Sequence, residues 1–371
     1  MSVSTVDMKA SVVRGKDQSI ESLRGLAAIF MVAGHVIGGG DGARGMQVGP
    51  GSGWAVFYEC LEDIRMPLFT MLSGFVFALR PPMAAAAYPG LVRSKVRRLL
   101  VPMLVVGTVL FFSQYLIPAS NSRPHLGDYP WIFFYSFQHL WFLQAVFLIF
   151  LVVGILEVGG VLATRPRFLI VLALTSVGHM FAIIPSPFNV FSVNSAIQLL
   201  PFFLIGYGLR RHGFFAGSAG SVAGVVIVFA AAYGFRLMQI TGHAEVGHRW
   251  ETKLAAFAVG VSAVILLYVL RHLIRNRVLS WMGGFAFGIY LLHVFATAGS
   301  RVVVTHLGVG NLFVVFTVSL AAGVAFPIVF QILLGRFDPV RVLVLGERAR
   351  KSGRHRLRSR ERAQARSSGV R

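Results

Sequence analysis

The sequence predicts an all-α integral membrane protein, a polytopic bundle of about ten transmembrane helices with both termini in the cytoplasm. Three observations carry this reading. Of 371 residues, 56% are hydrophobic and only 13% charged, with a mean hydropathy of +0.71. A water-soluble chain of this length carries about a quarter charged residues. Second, the apolar residues arrive in long blocks, such as 101–116, 142–156, 221–235 and 312–334, rather than in amphipathic stripes. Blocks near this length cross a ~30 Å hydrocarbon layer at the helical rise of 1.5 Å per residue. Third, basic residues alternate between successive loops, as the positive-inside rule requires.

Ten spans follow in order. The first, 20–38, begins after a polar segment of residues 1–19 and contains an apolar run over 25–38. No small-residue cleavage pattern follows that run, so it reads as a retained helix rather than a removed signal peptide. The second, 54–79, is apolar apart from a short charged group in its middle. The third, 99–118, is approached through Arg93, Lys95, Arg97 and Arg98 at the end of a long connection opened by Pro81 and Pro82. The fourth and fifth are 131–156 and 168–184, with Pro185 and Pro187 turning the chain afterwards. The sixth to tenth are 192–209, 219–238, 254–270, 281–300 and 312–334. Loops after even-numbered spans hold twelve Lys or Arg, and loops after odd-numbered spans hold five. The even-side loops, and with them both termini, are therefore cytoplasmic, in a multi-pass protein of a bacterial inner membrane.

The net charge of +21 raises the question of nucleic acid. Its distribution argues against that partner. Residues 336–371 hold 12 Lys or Arg against Asp338, Glu347 and Glu361, with no aromatic beyond Phe337 for base stacking. This segment reads as a basic, disordered cytoplasmic tail held near anionic lipid. The chain thus divides into a cytoplasmic segment 1–19, a membrane domain 20–335 and the tail 336–371. Cys60 is the only cysteine, so no intrachain disulfide forms, and no metal site is expected.

Ionisable residues inside spans are costly and face a bundle interior or a cavity. The first span holds Glu21, Arg24 and His35, and the second holds Glu62, Asp63 and Arg65. His139, His179, Arg236 and His293 lie in the fourth, fifth, seventh and ninth. His35 lies eleven residues beyond Arg24, about 16 Å along a helix. Counted from the ends of their spans, His293 is about 18 Å deep and His139 about 12 Å below the outer surface. All three fall at a similar level, slightly outside the midplane. A neutral imidazole accepts a proton from a hydroxyl and returns it to a leaving group, which suits group transfer at neutral pH. An isolated His reads first as a helix–helix hydrogen bond, and His179 is read that way. Arg93, Lys95, Arg97 and Arg98 are in part a topology signal, and their guanidinium forks also match phosphate oxygens. Ser73-Gly74 offers a hydroxyl, although such a step in a membrane helix more often permits close packing.

These residues resemble a known pattern. Ile20-Glu21-Ser22-Leu23-Arg24, running on to His35, resembles the first helix of the membrane acyltransferase 3 family. Met66-Pro67-Leu68-Phe69 with Leu72-Ser73-Gly74-Phe75 is similar to its second-helix signature. Arg97-Arg98-Leu99-Leu100-Val101-Pro102 and His139-Leu140-Trp141-Phe142-Leu143 resemble its third- and fourth-helix motifs. Pro201-Phe202-Phe203-Leu204-Ile205-Gly206 and Gly288-Ile289-Tyr290-Leu291-Leu292-His293 resemble later landmarks. The resemblance covers residues 20 to about 335.

It implies an O-acyltransferase that moves an acetyl or succinyl group from cytoplasmic acyl-CoA, a co-substrate rather than a tightly bound cofactor. The acceptor it implies is a hydroxyl of a carbohydrate or similar polar molecule at the outer face. It further implies a catalytic set of His35 as general base with Arg24 and Glu21, Arg24 fixing either the imidazole or the donor. Arg97, Arg98 and Lys95 would bind the donor, and His139, Trp141, His293, Tyr290, Arg65 and Ser73 would line the acceptor cavity. Two departures stand out. Arg65 occupies a position where relatives tend to have His, which hints at an extra cation for succinate. The third-helix motif is an adjacent Arg pair rather than Arg-x-Arg. A transporter or flippase for a polar lipid or glycan is the rival class, because buried charges also mark translocation paths.

Overall fold

A computed structural model describes residues 17–39, 44–117, 123–215, 219–244 and 248–349. The polar N-terminal segment before Asp17 and the basic run from residue 350 onward, where anionic lipid is expected, lie outside the described residues. Every regular element described is helical. The principal helices are α1 (Gln18–Ile37), α2 (Gly53–Phe77), α3 (Tyr88–Lys95), α4 (Val101–Leu116), α5 (Trp141–Val158) and α6 (Arg165–Phe181). They continue with α7 (Val193–Arg211), α8 (Ala219–Ile240), α9 (Arg249–Val269), α10 (Arg277–Gly283), α11 (Ala286–His306) and α12 (Leu312–Leu334).

Among the described residues, eight helical stretches are long and apolar enough to cross a membrane. The other two expected spans differ for physical reasons. Helix α2 carries Glu59, Glu62, Asp63 and Arg65 in its middle, and α6 is only 17 residues long. The apolar surface is consistent with a lipid environment. Leu169, Ile170, Leu174, Val177 and Phe181 are exposed along α6, as are Val226, Ile227, Val228 and Phe235 along α8. In water this distribution would drive aggregation.

Three boundaries differ from the sequence reading. The third span begins earlier, because the helix is already running at Tyr88. Arg93, Lys95, Arg97 and Arg98 therefore lie on helix rather than in a loop. Between α3 and α4 the chain makes a π-helical turn, Val96–Leu100. Pro102 supplies the reason: it has no N–H to give the Arg98 carbonyl, so the α ladder breaks there and one wider turn absorbs the change. The ninth span does not begin at residue 281; α10 stops at Gly283 and α11 restarts at Ala286. The fourth span is a run of 3₁₀ turns up to Leu140, and the α-helix starts only at Trp141.

The chain forms two compact units. The first comprises Met1–Leu79, Phe202–Tyr290 and Gly310–Leu320. Two glycine pairs organise it. Gly25 packs on the Leu279 carbonyl while Gly283 packs on the Glu21 carbonyl, so α1 and α10 meet backbone to backbone. In the same way Gly74 meets the Phe203 carbonyl and Gly206 the Met71 carbonyl, joining α2 to α7. Small residues permit such contact where no hydrophobic force drives helices together in lipid. Asn276 caps α10, and its backbone N–H and carbonyl both engage the Ser22 hydroxyl of α1 at 3.1 Å.

The second unit comprises Arg80–Pro201, Leu291–Val309 and Ala321–Arg371. Here α3 packs on α5, with the Tyr88 hydroxyl donating to the Leu151 carbonyl at 3.2 Å and Leu91 lying over Gly154. Residues beyond Arg336, assigned to the tail by composition, do not leave the fold at once. Val340–Val344 forms a second π-helical turn packed on α4, and Arg341 clasps Glu347 at 3.0 Å.

Candidate functional site

Helix α1 supplies three of the expected residues. Glu21 is buried, and the Arg24 guanidinium donates through Nη1 to both its carboxylate oxygens, at 2.9 and 3.1 Å. Gly283 fixes this turn by packing on the Glu21 backbone. Arg24 thus sits in a charge-assisted pair of the kind that survives partial burial. His35 follows three helical turns later on the same face, about 16 Å away along the axis. That separation is too long for Arg24 to orient the imidazole directly. His35 is half-buried in the last turn of α1. The helix ends at Gly38, which adopts the left-handed conformation and donates to the Gly34 carbonyl at 2.9 Å. Met46 then donates back to the Val36 carbonyl at 2.9 Å, so the returning loop closes over the His35 turn. His35 thus lies in the last turn of its helix, three residues before the Gly38 cap.

Arg65, in the middle of α2, is brought against that same turn. Its Nη1 occupies the space directly over Gly34, where any Cβ would stand. On its other side Nη2 donates to the Tyr58 hydroxyl at 2.9 Å, and the guanidinium lies 4.6 Å from the Tyr58 ring centroid. Glu62 is 3.9 Å away and half exposed. Ser73, two turns further along α2, donates its hydroxyl to the Phe69 carbonyl of its own helix at 2.9 Å, beside the Gly74 packing contact.

Two other intramembrane charges satisfy each other. Arg236 on α8 donates from Nε to Asp63 on α2 at 2.9 Å, with both side chains less than one-seventh exposed. The one helix thus carries a structural ion pair at Asp63 and a differently placed cation at Arg65, two residues apart.

In the second unit, His139 and His293 meet. Both are buried, and their rings pack edge to face with centroids 4.9 Å apart. His139 Nε2–H donates to the Leu291 carbonyl at 3.3 Å, since a carbonyl can only accept. His139 occupies a single 3₁₀ turn, Gln138–Leu140. Gln144 anchors the surrounding segment: it donates to the Phe133 carbonyl at 3.1 Å and accepts from Ser192 at 2.6 Å. Trp141 begins α5 half-buried, edge-on to Phe142 at 5.9 Å. Tyr290 is buried within the first unit. His179 bonds the Gln198 carbonyl at 2.7 Å, the helix–helix role expected of it.

The basic cluster divides by environment. Lys95 is half-buried with Nζ 3.2 Å from the Phe150 ring centroid, a cation–π contact. Arg97 donates from Nε to the Gly346 carbonyl at 3.3 Å, whereas Arg98 is exposed. Gly346 has φ +61 and rests on the Arg97 and Arg98 backbone, so the segment after α12 braces the π-turn. Composition gave no sign of that brace. Pro102, four residues after Arg98, was a visible signal for the π-turn. Nothing in the sequence pointed to Gly34 or Tyr58 as neighbours of Arg65.

Among the described residues no three His, Cys, Asp or Glu side chains gather as a metal site. No curated protein and no solved structure matches this chain. A family model for the acyltransferase domain of the acyltransferase 3 type matches residues 17–332, from the cap of α1 almost to the end of α12. The motifs, the membrane-length helices and this match agree: the chain belongs to the acyltransferase 3 family.

Proposed function

We propose that this multi-pass membrane acyltransferase takes an acetyl or succinyl group from a cytoplasmic acyl-CoA. It passes that group to a hydroxyl of a carbohydrate or similar polar acceptor on the outer side of the inner membrane. The observation that carries the reading is the layout of α1. One helix face bears the Glu21–Arg24 pair near one end and His35 in the last turn at the other. Such a helix connects a charged donor side to an acceptor side. In this reading His35 takes the proton of the acceptor hydroxyl as its oxygen attacks the thioester carbonyl. The C–S bond breaks, and the proton passes to the departing CoA thiolate. Arg24 serves the donor rather than the imidazole, because it lies three turns from His35. Arg97, Arg98 and Lys95 are proposed to hold the CoA phosphates, and acceptor contacts are proposed for His139, Trp141 and His293 in the second unit and for Tyr290 and Ser73 in the first.

The reading includes ten spans with both termini cytoplasmic. Reporter fusions after residues 125 and 245 are then outside, and one after 350 is inside. The function is tested with purified protein in detergent and radiolabelled acyl-CoA. Slow CoA release without acceptor, and label transfer to a glycan hydroxyl when acceptor is supplied, are expected. Absence of both reactions would overturn the proposal.

A further inference from the structure

Arg65 is a buried cation with one donor group unused. Its side chain is only 9% exposed, and Tyr58 takes its Nη2. Nη1 is fully buried and has no hydrogen-bond partner among the described residues. A guanidinium carries five N–H donors, and leaving one buried without an acceptor costs more than an ordinary hydrogen bond contributes. The charge itself is only partly balanced. The carboxylate in reach, Glu62, is 3.9 Å away and 52% exposed, a long and loosely held pairing.

The position of Nη1 is built rather than incidental. Gly34 is the residue immediately before His35, and its missing Cβ is what admits the guanidinium. The three nearest heavy atoms from outside the helix turn at that Cβ position all belong to Arg65. The Tyr58 hydroxyl and ring fix the other side of the fork, so the unused N–H is held against the turn that carries His35. A permanent, desolvated cation calls for a permanent anion. A developing oxyanion is present only during transfer and leaves the cation unbalanced while the donor is bound. A thioester whose acyl chain ends in a second carboxylate supplies the anion in the bound ground state.

We infer that Arg65, held by Tyr58 over Gly34, is the acyl-selectivity residue, binding the distal carboxylate of a dicarboxylic acyl group such as succinyl. The inference rests on the acyl-CoA reading above and narrows its donor. Charge-assisted contacts of this kind contribute about ten- to a hundredfold in affinity.

The test uses the full chain in detergent and measures CoA release from succinyl-CoA and acetyl-CoA side by side. Wild type should favour succinyl-CoA, and Arg65→Met should reduce the ratio of the two kcat/KM values about ten- to a hundredfold. Arg65→Met risks the packing of α1 on α2, so Gly34→Ala provides an independent arm. Its new methyl group would displace the guanidinium without removing it, and the same loss of selectivity is expected. Adding Gly34→Ala to Arg65→Met should then change selectivity no further. Equal use of both thioesters by wild type, or an unchanged ratio in both variants, would overturn the inference. If wild type releases CoA from neither thioester, the acyl-CoA reading fails separately. Free succinate then decides the claim for Arg65: it should raise the melting temperature of wild type more than acetate does, and should not do so for Arg65→Met. Equal effects of succinate on the two proteins would refute it.

Discussion

Replacing Asp63 with Leu leaves the Arg236 guanidinium without its carboxylate inside a membrane-length helix. The two groups are 2.9 Å apart, with side chains 12% and 14% exposed. At an effective dielectric of ~20, unit charges at this range attract by about 6 kcal/mol. Breaking a buried pair from one side typically costs about 3–5 kcal/mol, because the remaining charge is uncompensated. Arg236→Met should cost a similar amount. The double variant Asp63→Leu with Arg236→Met should recover to near wild type, since an apolar pair carries no desolvation penalty. The assay is the folded fraction of detergent-solubilised protein against temperature for the four proteins of the cycle, with acyl transfer measured in parallel. A coupling of about 3 kcal/mol and an active double variant would mark the pair as structural. Losses that simply add would refute the reasoning, because the two charges would not then be acting as a unit.

Other expectations concern particular contacts. Arg97→Ala and Arg98→Ala should each weaken acyl-CoA binding about ten- to a hundredfold at unchanged abundance, as read by equilibrium binding; unchanged affinity would leave the pair a topology signal only. Gly74→Val and Gly206→Val should reduce folded yield sharply, because each side chain would collide with a facing backbone carbonyl rather than a movable side chain. Asp17 caps α1 from outside the membrane. Partial burial raises its pKa, but hydrogen bonds from the Ser19 hydroxyl and backbone outweigh this and leave it below the usual value. A depressed folded pKa means that the stabilisation is present above the unfolded value and is lost as pH falls through the folded one. Asp17→Ala should cost about 1 kcal/mol at neutral pH and flatten the acid limb of a thermal-stability profile.

Much of the helix plan was legible because apolar blocks and loop charges obey the same bilayer. The internal breaks were less so. Gly283, Gly284 and Phe285 interrupt a stretch that reads as one apolar span, and hydropathy averages across such a break. The meeting of His139 and His293 was anticipated by counting depth, although both helix starts used in the count were displaced. The partners of the α2 charges were not legible. Glu62, Asp63 and Arg65 look alike in composition, yet Asp63 is matched by a residue 173 positions away while Arg65 turns to Tyr58 and Gly34. Which charge finds an ion-pair partner on another helix depends on helical phase and on long-range packing. A single sequence specifies neither locally.

The proposed transfer depends most directly on His35, and the decisive measurement is single-turnover acyl transfer by His35→Ala and His35→Gln variants whose membrane insertion and acyl-CoA affinity match wild type. Removal of a general base costs ~10²–10⁴-fold, borne by turnover rather than by donor affinity. Both variants should therefore bind donor and fail to transfer, while His139→Ala and His293→Ala show milder losses. If His35→Gln, which retains hydrogen bonding without useful basicity, transfers at the wild-type rate, His35 is a packing residue and the mechanism is contradicted.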